Sequence, residues 1–111
     1  MKTLSEYQKE VEKIEKEFNF KWPLYVRFIH LVEEVGELGE AITVKNGDRK
    51  SGSGEKGLAD HADLEEEFGD TLFSLFDLAN KLQIDLPLAL EKTFKRYHKK
   101  LEGENLNKYA D

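Results

Sequence analysis

Three observations predict an all-α fold for this chain, built as a four-helix bundle-like domain. Four segments repeat apolar residues at spacings of three and four, which is the period of an amphipathic helix. Capping residues, prolines and glycines separate these segments. No segment shows the alternation of apolar and polar residues that is typical of a β-strand. The 111 residues are enough for one domain, which we expect to cover residues 1–103, followed by a polar tail at 104–111.

The first two helices begin at recognisable start signals. Thr3 and Glu6 have the spacing of a capping box, in which each side chain accepts a hydrogen bond from the backbone N–H of the other residue. The apolar stripe of the first helix consists of Leu4, Tyr7, Val11, Ile14 and Phe18. Pro23 marks the second start, because proline is tolerated in the first turn of a helix. The second stripe consists of Leu24, Phe28, Leu31, Val32, Val35, Leu38 and Ile42. We expect both stripes to lie in the bundle core.

The second half of the chain predicts a loop and two more helices. Residues 46–57 are rich in glycine, serine and charge, which is typical of a mobile loop. A third helix is predicted from about residue 60 to residue 82. Asp85 is the expected N-cap of the fourth helix, with Pro87 in its first turn, and this helix ends before Gly103.

The composition limits the classes of function. There are 17 basic and 23 acidic residues, which gives a formal net charge of −6 and argues against nucleic-acid binding, since that needs a basic face. The absence of cysteine excludes disulfides, thiolate zinc sites and cysteine nucleophiles. No apolar run approaches the roughly 18 residues of a membrane span, and the N-terminus lacks a signal-peptide core. We therefore expect a cytoplasmic protein that binds neither nucleic acid nor membrane.

Two pairs of carboxylates border the apolar stripes of the second and third helices. Glu34 and Glu37 form one pair and Glu67 and Asp70 the other, and the i, i+3 spacing places both members of a pair on one helix face. No lysine stands four residues after any of them to neutralise the charge. If the two helices pack antiparallel, the pairs converge, and their oxygens suit Mg²⁺ or Mn²⁺ rather than zinc. The alternative is an acidic face that is simply solvated.

The residues that carry these pairs resemble a known family. The run LVEEVGEL at 31–38, followed by LEEEFGD at 64–70, matches the EExxE and ExxD motifs of the MazG-like nucleotide pyrophosphohydrolases. These proteins are similar to the all-α dUTPases and to phosphoribosyl-ATP pyrophosphohydrolase, and the resemblance extends over about residues 18–101. It implies a domain of the all-α NTP pyrophosphatase type that assembles as a homodimer or a dimer-of-dimers tetramer, with sites near subunit interfaces.

The resemblance also implies an activity and its residues. Members of the family use Mg²⁺ to cleave the α–β phosphoanhydride of nucleoside triphosphates into a monophosphate and pyrophosphate, which removes surplus or non-canonical nucleotides. The implied metal ligands are Glu34, Glu37, Glu67 and Asp70, with Mn²⁺ as an alternative ion. Glu33 completes the first motif and is expected to support a ligand or to position water. Glu34 and Glu37 are both candidates for the general base.

Five further residues are candidates for binding the substrate. Lys92, Arg96 and Lys100 recur at i, i+4 and i+8 on the fourth helix, and the resemblance implies phosphate contacts for the positions of Arg96 and Lys100. The helix dipole alone would also favour cations near this C-terminus. Trp22 could stack on a base or serve as a packing residue. Asn80 could bind a base edge or a sugar, or cap a backbone group.

Other interpretations stay open at this point. The protein could be a non-catalytic acidic helical dimer that binds metal or a basic partner. It could also be a specialist relative that hydrolyses phosphoribosyl-ATP, dCTP or dUTP. His30 is expected to be an ordinary half-buried histidine because the HExxH motif is absent, and His61 and His98 receive no role.

Overall fold

The computed structural model describes residues 1–52 and 58–103, and its helices confirm the all-α class. The helices are α1 (Leu4–Glu17), α2 (Leu24–Lys45), α3 (Leu64–Lys81) and α4 (Leu86–Glu102). Two short strands, β1 (Lys50–Ser51) and β2 (Leu58–Ala59), lie between α2 and α3. The centre of the predicted loop, at 53–57, and the predicted tail, at 104–111, lie outside the described residues. None of the described helices is both long and apolar enough to cross a bilayer.

The helix starts form the caps that the sequence indicates. The Thr3 hydroxyl accepts a hydrogen bond from the Glu6 N–H at 3.2 Å, and the Glu6 carboxylate accepts one from the Thr3 N–H at 3.0 Å, so the capping box is complete. The Asp85 carboxylate accepts a hydrogen bond from the Leu88 N–H at 3.1 Å at the start of α4. Pro23 is the N-cap residue of α2 and lies just outside the first turn.

The third helix begins later than predicted. Its N-cap is Asp63, whose carboxylate accepts a hydrogen bond from the Glu66 N–H at 3.0 Å. Residues 60–62 are irregular, and just before them lies a parallel ladder that the sequence did not indicate, in which Ser51 lies opposite Ala59. The Gly52 N–H extends this ladder by donating a hydrogen bond to the Ala59 carbonyl at 2.8 Å. The ladder fixes the chain just ahead of α3.

Helices α2 and α3 form the main helix pair of the molecule, and they run antiparallel. The Thr71 hydroxyl lies 3.3 Å from the Glu34 carbonyl, and Ser74 Oγ lies 3.2 Å from His30 Nδ1. Residue numbers therefore rise along one helix as they fall along the other. This antiparallel packing is the arrangement that the carboxylate pairs need in order to meet.

A buried ion cluster ties α1 and α2 to α3. The Arg27 guanidinium, which is 5% exposed, donates a hydrogen bond to Asp77 and one to the Trp22 carbonyl at 2.7 Å. The same guanidinium lies 3.6 Å from the Glu15 carboxylate. Burial, followed by the neighbouring Asp77 carboxylate, raises the pKa of Glu15 to about 7. Two carboxylates thus share one guanidinium in a buried position.

A second polar contact joins α1 to the connection between α3 and α4. The Gln8 amide is buried, and its Nε2 donates hydrogen bonds to Asn80 Oδ1 at 3.0 Å and to the Ile84 carbonyl at 2.7 Å. Gln8 Oε1 accepts a hydrogen bond from the Leu86 N–H at 3.0 Å. Asn80 Nδ2 in turn donates to the Gln8 carbonyl at 3.1 Å. Both ends of the Asn80 amide are therefore engaged with α1.

The apolar stripe of α2 is not buried within one chain, contrary to the prediction from its periodicity. Phe28 is 55% exposed and Val32 is 53% exposed. The accessible surface of the chain is 8759 Å², whereas a compact monomer of this mass would expose about 6,300 Å². The radius of gyration is 17.7 Å, against about 13 Å for a compact domain of about 100 residues. The helices of one chain therefore form an open arrangement with an uncovered apolar face.

Candidate metal centre

The two carboxylate pairs meet on adjoining faces of α2 and α3. Single oxygens of Glu34, Glu67 and Asp70 all lie within 4.8 Å of one another. Ligand atoms of Glu37, Glu67 and His61 form a second group within the same distance. Glu67 belongs to both groups, so the four carboxylates and one imidazole make a single cluster, which we call the acidic cluster.

Part of the acidic cluster is buried, and some of its buried oxygens lack a hydrogen-bond partner in the described chain. Glu67 is only 2% exposed, although it carries a carboxylate. Oε2 of Glu67 and Oε2 of Glu34 are buried, and neither has a hydrogen-bond partner within the part of the chain that the structure describes. Because a buried, unpaired carboxylate oxygen is unfavourable, such a cluster fits a bound cation. The donor set of four carboxylates suits a hard divalent ion such as Mg²⁺ or Mn²⁺.

The charges of the cluster act on one another. Burial and then the neighbouring Glu37 carboxylate raise the pKa of Glu34, and His30 partly opposes this change. Burial also raises the pKa of Glu67, and the adjacent His61 opposes that change. Both carboxylates therefore hold a proton more readily than an exposed glutamate does.

Two histidines contact the cluster: His30, which is partly buried as expected, and His61, for which the sequence predicts no role. His30 Nε2 lies 3.1 Å from Glu34 Oε1, and its Nδ1 lies 3.2 Å from Ser74 Oγ. His61 Nδ1 lies 3.2 Å from Glu67 Oε1, and its Nε2 lies 3.4 Å from Glu37 Oε1. The i, i+4 spacing of His30 and Glu34 was a usable sequence signal. His61 precedes α3 in an irregular segment, where no spacing rule applies.

The candidate cations of α4 are not brought to the acidic cluster within one chain. Lys92, Arg96 and Lys100 are exposed, and α4 packs mainly against α1. Arg96 Nη2 donates a hydrogen bond to the Thr93 hydroxyl at 3.3 Å, and the guanidinium lies 6.0 Å from the Tyr97 ring centre. Across residues 1–52 and 58–103, none of the three cations forms an ion pair with the four carboxylates.

The remaining candidates occupy different positions. Glu33 is exposed and belongs to neither ligand group. Trp22 lies beside the cluster, because its ring centre is 5.0 Å from that of His30, which contacts Glu34. Asn80 lies at the α1 contact and not at the cluster, and its amide already binds Gln8.

Comparison with known proteins agrees with this architecture. A family model of the MazG nucleotide pyrophosphohydrolase domain matches residues 28–105, a segment that contains all four carboxylates. The uncharacterized protein YpjD of Bacillus subtilis (strain 168) is 32% identical over 99 residues, which represent 87% of this chain and 85% of YpjD. The crystal structure of YpjD from Bacillus subtilis matches with a TM-score of 0.73 and 30% identity, over 87% of this chain and 94% of that one. The chain therefore belongs to the MazG nucleotide pyrophosphohydrolase domain family.

Proposed function

We propose that this protein is a Mg²⁺-dependent nucleoside triphosphate pyrophosphohydrolase. It would cleave the α–β phosphoanhydride to give a nucleoside monophosphate and pyrophosphate, and so remove surplus or non-canonical nucleotides. The observation that carries the proposal is the acidic cluster, in which carboxylate oxygens from α2 and α3 lie within 4.8 Å of one another and two further oxygens are buried without a partner in the described chain. Membership of the MazG family supports a nucleotide substrate for such a cluster.

Glu34, Glu37, Glu67 and Asp70 are the residues that would hold the cation. Mn²⁺ could replace Mg²⁺, because both ions accept carboxylate oxygens. When bound, the cation neutralises the charge on the phosphate oxygens. The protein itself contributes fixed carboxylate positions, since the antiparallel pairing of α2 and α3 holds both pairs on one side of the molecule.

The hydrolytic step also needs a proton acceptor. The oxygen of a water molecule forms a bond to the α-phosphorus, the bond from that phosphorus to the bridging oxygen breaks, and pyrophosphate leaves. The proton of the water passes to a carboxylate of the Glu34–Glu37 pair. Burial and the neighbouring Glu37 raise the pKa of Glu34, which favours uptake of the proton there. Glu33 is exposed next to Glu34 and would act only by orienting water.

We assign the base of the nucleoside to Trp22, whose ring lies beside the acidic cluster. Trp22 is 45% exposed, and its ring lies beside His30 and 6.2 Å from that of Phe20. Residues 18–22 line a cavity of about 480 Å³ at this position. An exposed indole offers a flat face for stacking on a base, and stacking tolerates different bases.

The uncovered apolar face is proposed to bind a second copy of the chain, giving a homodimer or a dimer-of-dimers tetramer. A groove of about 510 Å³ between α2 and α3 is lined almost wholly by apolar residues, including Val35, Phe68 and Leu72. Phe28, Val32 and Phe68 are each more than half exposed, which is typical of a face that another subunit covers. In such an assembly Lys92, Arg96 and Lys100 of one subunit could reach the phosphates bound by another.

Incubation with a panel of ribo- and deoxyribonucleoside triphosphates, with Mg²⁺ or with a chelator, tests the activity. We expect equal amounts of monophosphate and pyrophosphate, and no turnover with the chelator. Glu67→Gln should lower kcat/KM at least about 100-fold, because it removes a buried ligand carboxylate. Glu65→Gln, an exposed residue of the same helix turn, is the matched control and should keep its activity. Release of orthophosphate, or no turnover of any triphosphate, would contradict the proposal.

A further inference from the structure

His61 lies inside the acidic cluster although it belongs to no motif of the sequence. Both of its ring nitrogens face carboxylates, Nδ1 at 3.2 Å from Glu67 and Nε2 at 3.4 Å from Glu37. These two carboxylates come from different helices, so the imidazole spans the α2–α3 interface. The parallel ladder that ends at Ala59 holds the segment carrying His61 close to this interface.

The ligand atoms of these three groups lie close enough to converge on one ion. Atoms that bind one first-row divalent cation at about 2.1 Å lie roughly 3.0–3.4 Å from one another. One ligand atom each from Glu37, His61 and Glu67 already lies within 4.8 Å of the others. Small side-chain rotations would therefore place three ligand atoms around one ion.

A second observation separates this group from an ordinary ion pair at the surface. Glu67 is almost completely buried, and its Oε2 has no hydrogen-bond partner among residues 1–52 and 58–103. The bond from His61 engages only Oε1 of that carboxylate. An unsatisfied buried oxygen beside a partly exposed imidazole leaves an acceptor that a bound cation would satisfy.

We propose that Glu37, His61 and Glu67 bind a divalent first-row transition cation, with His61 supplying an imidazole nitrogen to the carboxylate cluster. The inference rests on the acidic cluster of the proposed function and adds a nitrogen ligand to it. Imidazole suits transition metals, whereas Mg²⁺ prefers oxygen ligands and its own waters. The site would therefore favour a transition cation over Mg²⁺ more strongly than a site of four carboxylates would.

Mn²⁺ alone, without nucleotide, is the probe, because its electron spin reports a bound nitrogen directly. The full-length protein would be loaded with Mn²⁺ at a fixed, mildly alkaline pH and studied by electron spin-echo envelope modulation. We expect ¹⁴N modulation from a coordinated imidazole in the wild type and its loss in His61→Gln. Titration by electron paramagnetic resonance should show that the Mn²⁺ dissociation constant of His61→Gln is about tenfold larger than that of the wild type. The Mg²⁺ constant, measured by competition, should change less than about threefold.

Two other histidines supply matched controls. His98→Gln removes an exposed imidazole on α4 that pairs only with Glu102 within the described chain, and it should leave the modulation unchanged. His30→Gln removes the imidazole that already bonds Glu34 and Ser74, and it should keep the modulation too. Modulation that persists in His61→Gln, or that disappears in His30→Gln instead, would overturn the assignment. Far-ultraviolet circular dichroism of each variant separates loss of the ligand from loss of the fold.

The outcomes for metal binding and for turnover are distinguishable. A wild-type protein that hydrolyses triphosphates with Mg²⁺ but shows no ¹⁴N modulation with Mn²⁺ would overturn the role of His61 alone. A wild-type protein that shows the modulation but hydrolyses no triphosphate would support the nitrogen ligand and contradict the proposed activity. Absence of measurable Mn²⁺ binding would overturn the inference whatever the activity.

Discussion

At the scale of single residues, the buried guanidinium of Arg27 forms ion pairs with two carboxylates. Asp77 forms the closer pair, and Glu15 lies 3.6 Å from the same group. One positive charge cannot fully balance two buried negative charges, so the protonated form of one acid is favoured. Glu15 Oε1 is also buried without a hydrogen-bond partner within the described residues. Glu15 is thus the acid whose protonated form is favoured.

The stability of the protein should therefore depend on pH through Glu15. Its pKa is raised from 4.5 to about 7 in the folded chain, first by burial and then by Asp77. The folded state consequently holds a proton that the unfolded state has lost, and the free energy of unfolding falls as the pH rises from about 4.5 to about 7. After allowance for solvent screening the contribution is about 1–2 kcal/mol. Urea denaturation across this range measures it.

Glu15→Gln tests this assignment. The amide mimics the protonated acid, so the difference in unfolding free energy between wild type and variant should grow from near zero at low pH to about 1–2 kcal/mol above pH 7, in favour of the variant. Glu17→Gln changes an exposed acid on the same helix and serves as the control. Parallel pH profiles of wild type and Glu15→Gln would contradict the explanation, because Glu15 would then titrate alike in both states.

Residue-scale features were the least accessible to sequence analysis. The two carboxylate pairs were found because i, i+3 spacing on a helix fixes relative direction. Asp77 also lies on α3, but its burial depends on Arg27 of another helix, and pairing over 50 positions leaves no local pattern. The approach of His61 to Glu37 and Glu67 depends on the path of the chain before α3, which no periodicity describes.

At the scale of elements, Gln8 joins three parts of the structure. Its amide binds Asn80 on α3, the Ile84 carbonyl in the following connection and the Leu86 N–H at the start of α4. The last of these contacts satisfies one of the N–H groups that a helix leaves free at its first turn. One side chain on α1 therefore fixes both the end of α3 and the beginning of α4.

Gln8→Ala should destabilise the protein by about 2–4 kcal/mol, because it leaves several buried polar groups without partners. Hydrogen exchange should increase most at Leu86, whose N–H loses its acceptor. Lys9→Ala changes the exposed neighbour and should have little effect. Guanidinium denaturation and exchange measured by NMR provide the test. Equal stability of the two variants would mean that solvent replaces the amide without loss.

The elements themselves were largely predictable. Helix caps depend on side chains within three residues of the backbone groups they bind, so Thr3 and Asp85 could be identified from the sequence. The predicted start of α3 is too early, because residues 60–62 are irregular and the helix begins only after its N-cap Asp63. The ladder of residues 58–59 with a partner eight positions away is not predicted either. Strand pairing of only two residues leaves no alternation to detect.

At the scale of the whole molecule, the apolar stripe of α2 follows the predicted period, but one chain alone does not cover it. Helical periodicity shows which face of α2 avoids water, yet it does not say whether the covering surface belongs to the same chain. Within one chain Phe28 and Val32 remain more than half exposed. The proposed second copy would bury them, and with them the groove between α2 and α3.

Leu75→Glu should disrupt the proposed assembly. Leu75 lines the groove and is 40% exposed, so a carboxylate there can remain hydrated in one chain but not in an apolar interface. Light scattering after size exclusion should give the mass of a dimer or tetramer for the wild type and a smaller mass for the variant. If the variant cannot fold without its partner, circular dichroism should show an unfolded chain. Lys81→Glu, an exposed change on the same helix, should keep the wild-type mass. A monomeric wild type would exclude the assembly.

The position of Arg27 can also be compared with the start of the family match. The family match starts at Phe28, one residue after Arg27, and it omits Glu15 and Gln8 altogether. A polypeptide trimmed to that match would lack Arg27, the counter-ion of Asp77, together with the whole of α1, and we expect it to be less stable than the full chain. The family match is thus shorter than the set of elements that the Arg27 and Gln8 contacts join, and we expect an excised domain to keep its full stability only with α1 and the start of α2 included.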